Sequence, residues 1–246
     1  MRRFFVAPEF LREGSGVIAG ELFRHISTVL RLKCGDRFRL ADGSGREAEA
    51  KIAAIGKDGV HVEIGPLQHS ASIADAPRIT VCQGLPKGEK TDLVLQKCTE
   101  LGVAGIELFQ AARSVTRLEN DRLAKRLARW ERIVQEAARQ SGRQDIPAVG
   151  FSGSLGEALQ KTDPSFGLLL WEGEEDQGLR DVLAGREKPE TISVVIGPEG
   201  GLTSEEAAEA VELGFVPVSL GKRILRTETA GLAVVSILQY VWGDVG

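Results

Sequence analysis

Val194-Val195-Ile196-Gly197-Pro198-Glu199-Gly200-Gly201-Leu202 is a short apolar strand that turns on three glycines. A second stretch repeats the plan: Ser219-Leu220-Gly221-Lys222-Arg223-Ile224-Leu225-Arg226-Thr227-Glu228-Thr229-Ala230. Each segment begins as a strand, turns sharply on glycine and opens into a helix-like stretch. Two such turns on neighbouring strands build one ligand floor at the C-terminal edge of a sheet. Open α/β proteins bind small molecules at that edge.

The flanking sequence supports such a sheet. Strands are predicted at Arg78–Cys82, Ile106–Phe109, Phe166–Trp171, Thr191–Ile196 and Phe215–Leu220. Helices are predicted between and after them, over Thr91–Leu101, Asp121–Ser141, Ser204–Leu213 and Thr229–Val241. Thr203 or Ser204 caps the third helix, Glu205 and Glu206 fill its first turn, and Gly214 closes it. This alternation means a parallel sheet covered by helices on both faces. The first seventy residues read differently. Arg3–Val6, Arg37–Ala41, Glu47–Ile55 and Val60–Ile64 alternate apolar and polar as half-buried strands do. Asp42-Gly43-Ser44-Gly45 and Lys57-Asp58-Gly59 are hairpin turns, and Glu21–Leu30 reads as one short helix. Short strands with tight turns suggest a small barrel. The pattern changes at Ser70-Ala71-Ser72 and Asp75-Ala76-Pro77, so two domains are expected, 1–72 and 73–246.

Composition is that of an ordinary soluble globular protein: 246 residues, 42% hydrophobic and 27% charged. The N-terminus is a poor signal peptide, and no apolar run approaches membrane-spanning length. Cys34, Cys82 and Cys98 are odd in number and lack metal-like spacing, as expected of reduced thiols in a cytoplasmic protein. His25, His61 and His69 have no second ligand at useful spacing, so no metal is expected. The net charge of −4 hides an asymmetry. Residues 1–51 carry ten Lys/Arg against seven Asp/Glu, and residues 113–143 carry nine against four. Residues 144–246 carry seven against seventeen. Such zoning suits a polyanion bound on one side, although Arg-rich helix faces are often simply solvated.

Neither glycine segment is a nucleotide loop of the usual kinds. Gly197-Pro198-Glu199-Gly200-Gly201 is not G-x-G-x-x-G, and Arg223 stands where a phosphate loop needs Ser or Thr after Gly221-Lys222. Three glycines in five residues let backbone amides approach a flat ligand. A plain strand-to-helix turn is the alternative, but it rarely needs so many. Ile224 and Leu225 are apolar residues in a polar loop and suit the faces of an aromatic base. Arg226 and Glu228 stand before a helix of small and apolar residues. An ionised pair there is costly unless it binds something or is paired internally, and both readings stay open.

The two segments together resemble the knotted SPOUT-class methyltransferases. More narrowly, the chain is similar to bacterial enzymes that methylate N3 of a uridine in small-subunit (16S) ribosomal RNA. The likeness continues through Met1–Val6, His25–Asp36, Lys87-Gly88-Glu89-Lys90, Gln96–Val103, Arg113-Ser114, Trp130, Arg132-Ile133, Glu136-Ala137 and Gln140–Arg143. It implies a PUA-like N-terminal β-barrel, an α/β domain with a trefoil knot and parallel sheet, a homodimer, and S-adenosyl-L-methionine as cofactor. By this resemblance Leu170, Ile196, Gly197, Pro198, Gly200 and Gly201 line the adenosine side. Leu220, Gly221, Ile224 and Leu225 cradle the adenine, and Thr229 and Ala230 close the knot beneath it. Arg226 would stabilise the developing uridine anion, with Glu228 orienting it or accepting a proton and Glu199 a weaker candidate base. Ribosomal RNA, free or in the 30S subunit, would meet Arg2, Arg3, Arg24, Arg31 and Lys33 on the barrel. On the catalytic domain it would meet Lys87, Lys90, Arg113, Arg117 and Arg143. The alternatives are a related knotted enzyme acting on transfer RNA, on 23S rRNA or at a ribose, and a non-catalytic RNA-binding module.

Overall fold

A computed structural model describes residues 1–69, 76–118, 120–173 and 177–245, with the side chains of Asn120 and Asp121 excluded. The expected domain boundary after residue 72 lies outside the described residues. Two compact units are present: Met1–Ser72 with Ala138–Ile146, and Ile73–Ala137 with Pro147–Gly246.

The first unit contains β1 (Arg3–Phe5), β2 (Gly14–Ile18), α1 (Gly20–Arg24), β3 (Arg37–Ala41), β4 (Arg46–Ile55), β5 (Val60–Ile64) and β6 (Gln68–His69). Strand order is β1-β3-β4-β5-β2, with β6 beside β4. The period-two alternation puts Phe38, Leu40, Ala48, Ala50, Ile52, Val60, Val62 and Ile64 into one core with Phe4 and Ile26. Asp42 shapes the first hairpin, accepting from the Ser44 amide at 2.9 Å and hydroxyl at 2.8 Å. The single helix expected over 21–30 is instead two pieces. It starts at Gly20 and widens after Arg24 into a π-helical turn, His25–Val29. Ser27 there donates to the Phe23 carbonyl at 2.8 Å, and Thr28 and Val29 are β-branched, both unfavourable to a regular α-turn.

The second unit runs β7 (Arg78–Gly84), α2 (Lys90–Glu100), β8 (Gly105–Phe109), α3 (Asn120–Ser141), β9 (Ala148–Ser152), α4 (Leu155–Gln160), β10 (Phe166–Leu170), α5 (Leu179–Leu183), β11 (Thr191–Ile196), α6 (Ser204–Glu212), β12 (Phe215–Val218) and α7 (Thr227–Trp242). Its six strands are all parallel, in the order β12-β10-β11-β7-β8-β9. The central strands are nearly continuous apolar runs because both faces are covered. Cys82, Phe109, Leu169 and Val195 face a core shared with α4 and α6. Their neighbours Gln83 and Ile196 point the other way, towards Gly231 of α7. Thr203 and Glu206 complete the expected cap of α6 as a reciprocal capping box.

Two features set up the site. Because the sheet is parallel, the chain leaves β7, β10, β11 and β12 at one edge. After β12 it returns from the sheet's end so that α7 packs on β7, β11 and α2. That path is consistent with a knotted topology.

Candidate cofactor cleft and its charged rim

A cleft of about 1130 Å³ lies at the C-terminal ends of β10, β11 and β12; the two glycine-bearing strands, β11 and β12, are not neighbours as expected but flank β10. That exceeds the roughly 300–1,000 Å³ of most small-molecule sites. Of the residues expected to hold a cofactor, Leu170, Ile196, Gly197, Pro198, Gly201, Leu220, Gly221, Ile224, Leu225 and Ala230 line it. Gly200 is outside this lining, its Cα set against Arg113, where an added Cβ would meet the Arg113 Cβ at 3.0 Å. Thr229 is exposed on the first turn of α7 and does not line the cleft. Trp171, Glu172, Asp181, Leu202 and Val218 also line it and carried no sequence signal of that role.

The Gly197 turn is clamped from beneath. Gln83, with no exposed surface, donates its side-chain amide to the Gly84 carbonyl at 2.9 Å and the Gly197 carbonyl at 3.2 Å. The same nitrogen lies 2.8 Å from Thr227 Oγ1, which itself donates to the Gly197 carbonyl at 2.5 Å. Three segments meet in this node: the end of β7, the glycine turn and the start of α7. Glycine suits position 197, since a Cβ would stand 3.0 Å from the Gly201 carbonyl carbon and 3.1 Å from the Leu202 nitrogen, and the turn would have to yield by a few tenths of an ångström. Arg113 adds hydrogen bonds to the carbonyls of Gly200 at 3.4 Å and Leu202 at 3.2 Å.

The charged rim differs from the expected pairing. α7 begins at Thr227, so Arg226 is its N-cap residue and Glu228 lies inside its first turn. Glu228 is buried, and its partner is Lys90, whose Nζ stands 3.3 Å from Oε2. The same ammonium stands 3.0 Å from Glu199 Oε1. Glu199 also accepts from the Lys87 amide at 3.1 Å. Burial alone would push the Glu199 carboxyl up. Its own amide, the Lys90 ammonium and the Lys87 amide outweigh burial and hold it below the usual Glu range, which suits a paired anion better than a base. Arg226 is exposed and lines the cleft, and no partner for its guanidinium occurs among the described residues.

The expected RNA contacts divide the same way. Arg2, Arg24, Arg31, Lys33, Lys87 and Arg117 are exposed. Arg3 is largely buried, paired with Glu47 at 3.0 Å and bound to the Gly142 and Arg143 carbonyls. Arg143 is also mostly covered and pairs with Asp145 at 2.7 Å. Lys90 and Arg113 belong to the cleft. Among the described residues no cluster of His, Cys, Asp or Glu is placed to hold a metal ion.

A family model described as an RNA methyltransferase domain matches residues 74–239, and one described as an RNA methyltransferase PUA domain matches residues 18–65. The chain belongs to the RNA methyltransferase family. Its β-rich N-terminal region is therefore a PUA domain, and its α/β region the methyltransferase domain. A ribosomal RNA small subunit methyltransferase E from Bacillus subtilis (strain 168) is 35% identical, over 98% of this chain and 96% of that protein. The crystal structure of a protein of the same description from Neisseria gonorrhoeae, bound to S-adenosyl methionine, is 36% identical. It covers all of both chains with a TM-score of 0.86. A methyltransferase from Legionella pneumophila, also bound to that cofactor, is 30% identical over 97% of this chain and 96% of its own, with a TM-score of 0.84.

Proposed function

We propose that this protein transfers a methyl group from S-adenosyl-L-methionine to N3 of a uridine in small-subunit (16S) ribosomal RNA. The observation that carries the reading is the cleft itself, in which both glycine segments meet at one sheet edge. Its donor set fits an adenosine joined to a sulfonium. Leu170, Ile196, Leu220 and Leu225 offer apolar faces, the glycine turns offer backbone groups, and Glu172, Asp181 and Glu199 offer negative charge. The Gly-Lys-Ser/Thr phosphate cradle is missing, and this cofactor carries no phosphate.

Bound there, S-adenosylmethionine supplies a methyl group on a sulfonium centre. The residues of the chain do the remainder. The clamped turn fixes the floor, so that the reacting atoms can be aligned. Arg226, without a partner among the described residues, stands at the rim, where its guanidinium would stabilise the charge on the uracil carbonyls as N3 gives up its proton to solvent water. Glu228 acts from beneath through Lys90. The PUA domain, proposed as residues 1–72, and exposed Lys87 and Arg117 meet the RNA backbone. The target uridine must be flipped or already unpaired before N3 is reachable. A second copy of the chain is the proposed partner of α7, which leaves Ile237, Tyr240 and Val241 exposed at helical spacing. No described helix is long and apolar enough to cross a membrane, and the proposed place of action is the cytoplasm, with the ribosome.

Mass-spectrometric mapping of 16S rRNA tests this. Cells lacking the protein should lose one 3-methyluridine, and purified protein with S-adenosylmethionine should restore it on isolated 30S subunits or free 16S rRNA. An unchanged 16S map, or a methyl group missing from a ribose or from transfer RNA, contradicts the reading.

A further inference from the structure

Lys90 is the first residue of α2, where a cation opposes the helix dipole. Its ammonium lies between the two acidic residues of the two glycine segments, 3.0 Å from Glu199 Oε1 and 3.3 Å from Glu228 Oε2. Glu228 Oε2 is buried and has no partner other than Lys90 among the described residues, so the Lys90 charge is what compensates it. One positive and two negative charges leave a net negative group, which repels a phosphate. The hydrogen bond it donates to Glu199, working against desolvation and helped by Glu228, holds the Lys90 ammonium above the usual Lys range.

We infer that Lys90 is a positioning residue that ties the Gly197 turn to the start of α7, and not a contact to the RNA backbone. This rests on the cleft being the S-adenosylmethionine site. Truncating Lys90 leaves Glu228 as a buried carboxylate without a counter-charge, and such a group forces its surroundings to move. The displaced elements are those that shape the cleft floor and carry Arg226. The cost therefore falls on cofactor affinity and turnover. A phosphate contact would behave differently: its loss weakens RNA binding and reduces the salt slope by about one.

The test compares wild type with Lys90→Met, Lys90→Arg and Glu228→Gln. S-adenosylmethionine affinity is measured by calorimetry, RNA affinity across a salt series, and kcat on 30S subunits. Lys90→Met should weaken cofactor binding about tenfold and lower kcat by ten- to a hundredfold, leaving the RNA salt slope unchanged. Lys90→Arg should recover most of both. Glu228→Gln should lose less, and adding it to Lys90→Met should restore part of the lost affinity because the uncompensated charge is gone. A salt slope reduced by about one, with cofactor affinity and kcat at wild-type values, overturns the inference. So does additivity between Lys90→Met and Glu228→Gln. A wild-type protein that binds no S-adenosylmethionine overturns this inference together with the proposed function. Normal cofactor binding in wild type and all variants overturns the inference alone.

Discussion

The Gly197 turn and the Gly221 loop follow one sequence plan and have different physical states. The first is held by Gln83, Thr227 and Arg113, and through Glu199 by Lys87 and Lys90. The second is anchored at its ends. Ser219 donates its amide to the Gln177 carbonyl at 2.9 Å, and the Arg226 carbonyl accepts from the amides of Thr229 and Ala230. Between them Gly221, Lys222, Arg223 and Ile224 are exposed, Ile224 at 82%. The difference predicts that one half of the cleft is built in advance and that the other closes when a ligand binds. A lid must have few contacts of its own to be able to move.

The largest expected effect comes from breaking the floor. In Gly84→Ala the new Cβ would stand 2.6 Å from Pro198 Cδ and 2.7 Å from its nitrogen, both parts of a rigid ring. The sheet end or the turn has to shift, at about 1–3 kcal/mol. A fall of several degrees in Tm with loss of cofactor binding is expected by thermal melts and calorimetry. Next comes Gln83→Leu, which removes the amide that bridges the Gly84 and Gly197 carbonyls; Gly197 keeps the Thr227 hydroxyl, so the cost is that of about one lost hydrogen bond, roughly 1 kcal/mol. Its melting temperature should fall in the free protein as well as the bound one. Gly221→Ala acts on the other half. Its φ of +109° disfavours a side chain, but nothing lies within 4 Å of the added Cβ. The strain is about 1 kcal/mol and the loop can move to relieve it. Cofactor affinity should drop a few-fold with Tm almost unchanged.

The smallest effect is on pH dependence. Glu199 is held below its ordinary value, so its stabilising contribution is present above that value and fades as pH falls through the lowered one. Lys90 is held above its ordinary value, so its contribution is complete below that value and fades at alkaline pH. Glu199→Gln should therefore flatten the acid side of a Tm–pH curve, while leaving the neutral region almost level.

Much of the sheet was legible in the sequence. Thr191–Ile196, Arg37–Ala41 and Val60–Ile64 agree residue for residue, because continuous or strictly alternating apolar runs admit one reading. Five short elements were not legible, among them the two-residue, exposed β6. β2 begins Gly14-Ser15-Gly16, which hides its alternation, and β9 is a half-exposed edge strand broken by Gly150. α4 and α5 are too short to show a helical period. The glycine segments announced the cleft, but not what holds it. Gln83 and Thr227 are 144 residues apart in sequence, and no local pattern links them. Lys90 read as one more basic residue beside Lys87, since a count of charges does not show that folding brings two carboxylates to the Lys90 ammonium, while Lys87 meets Glu199 through its backbone amide.

Hydrogen exchange with mass spectrometry, with and without S-adenosylmethionine, tests the contrast most directly. Amides of Gly197 to Leu202 should be slow to exchange in the free protein and change little. Those of Leu220 to Arg226 should exchange quickly when free and become protected on binding. Equal protection of both segments before the cofactor is added, or an equal gain in both after it, would contradict a preformed floor beneath a closing rim.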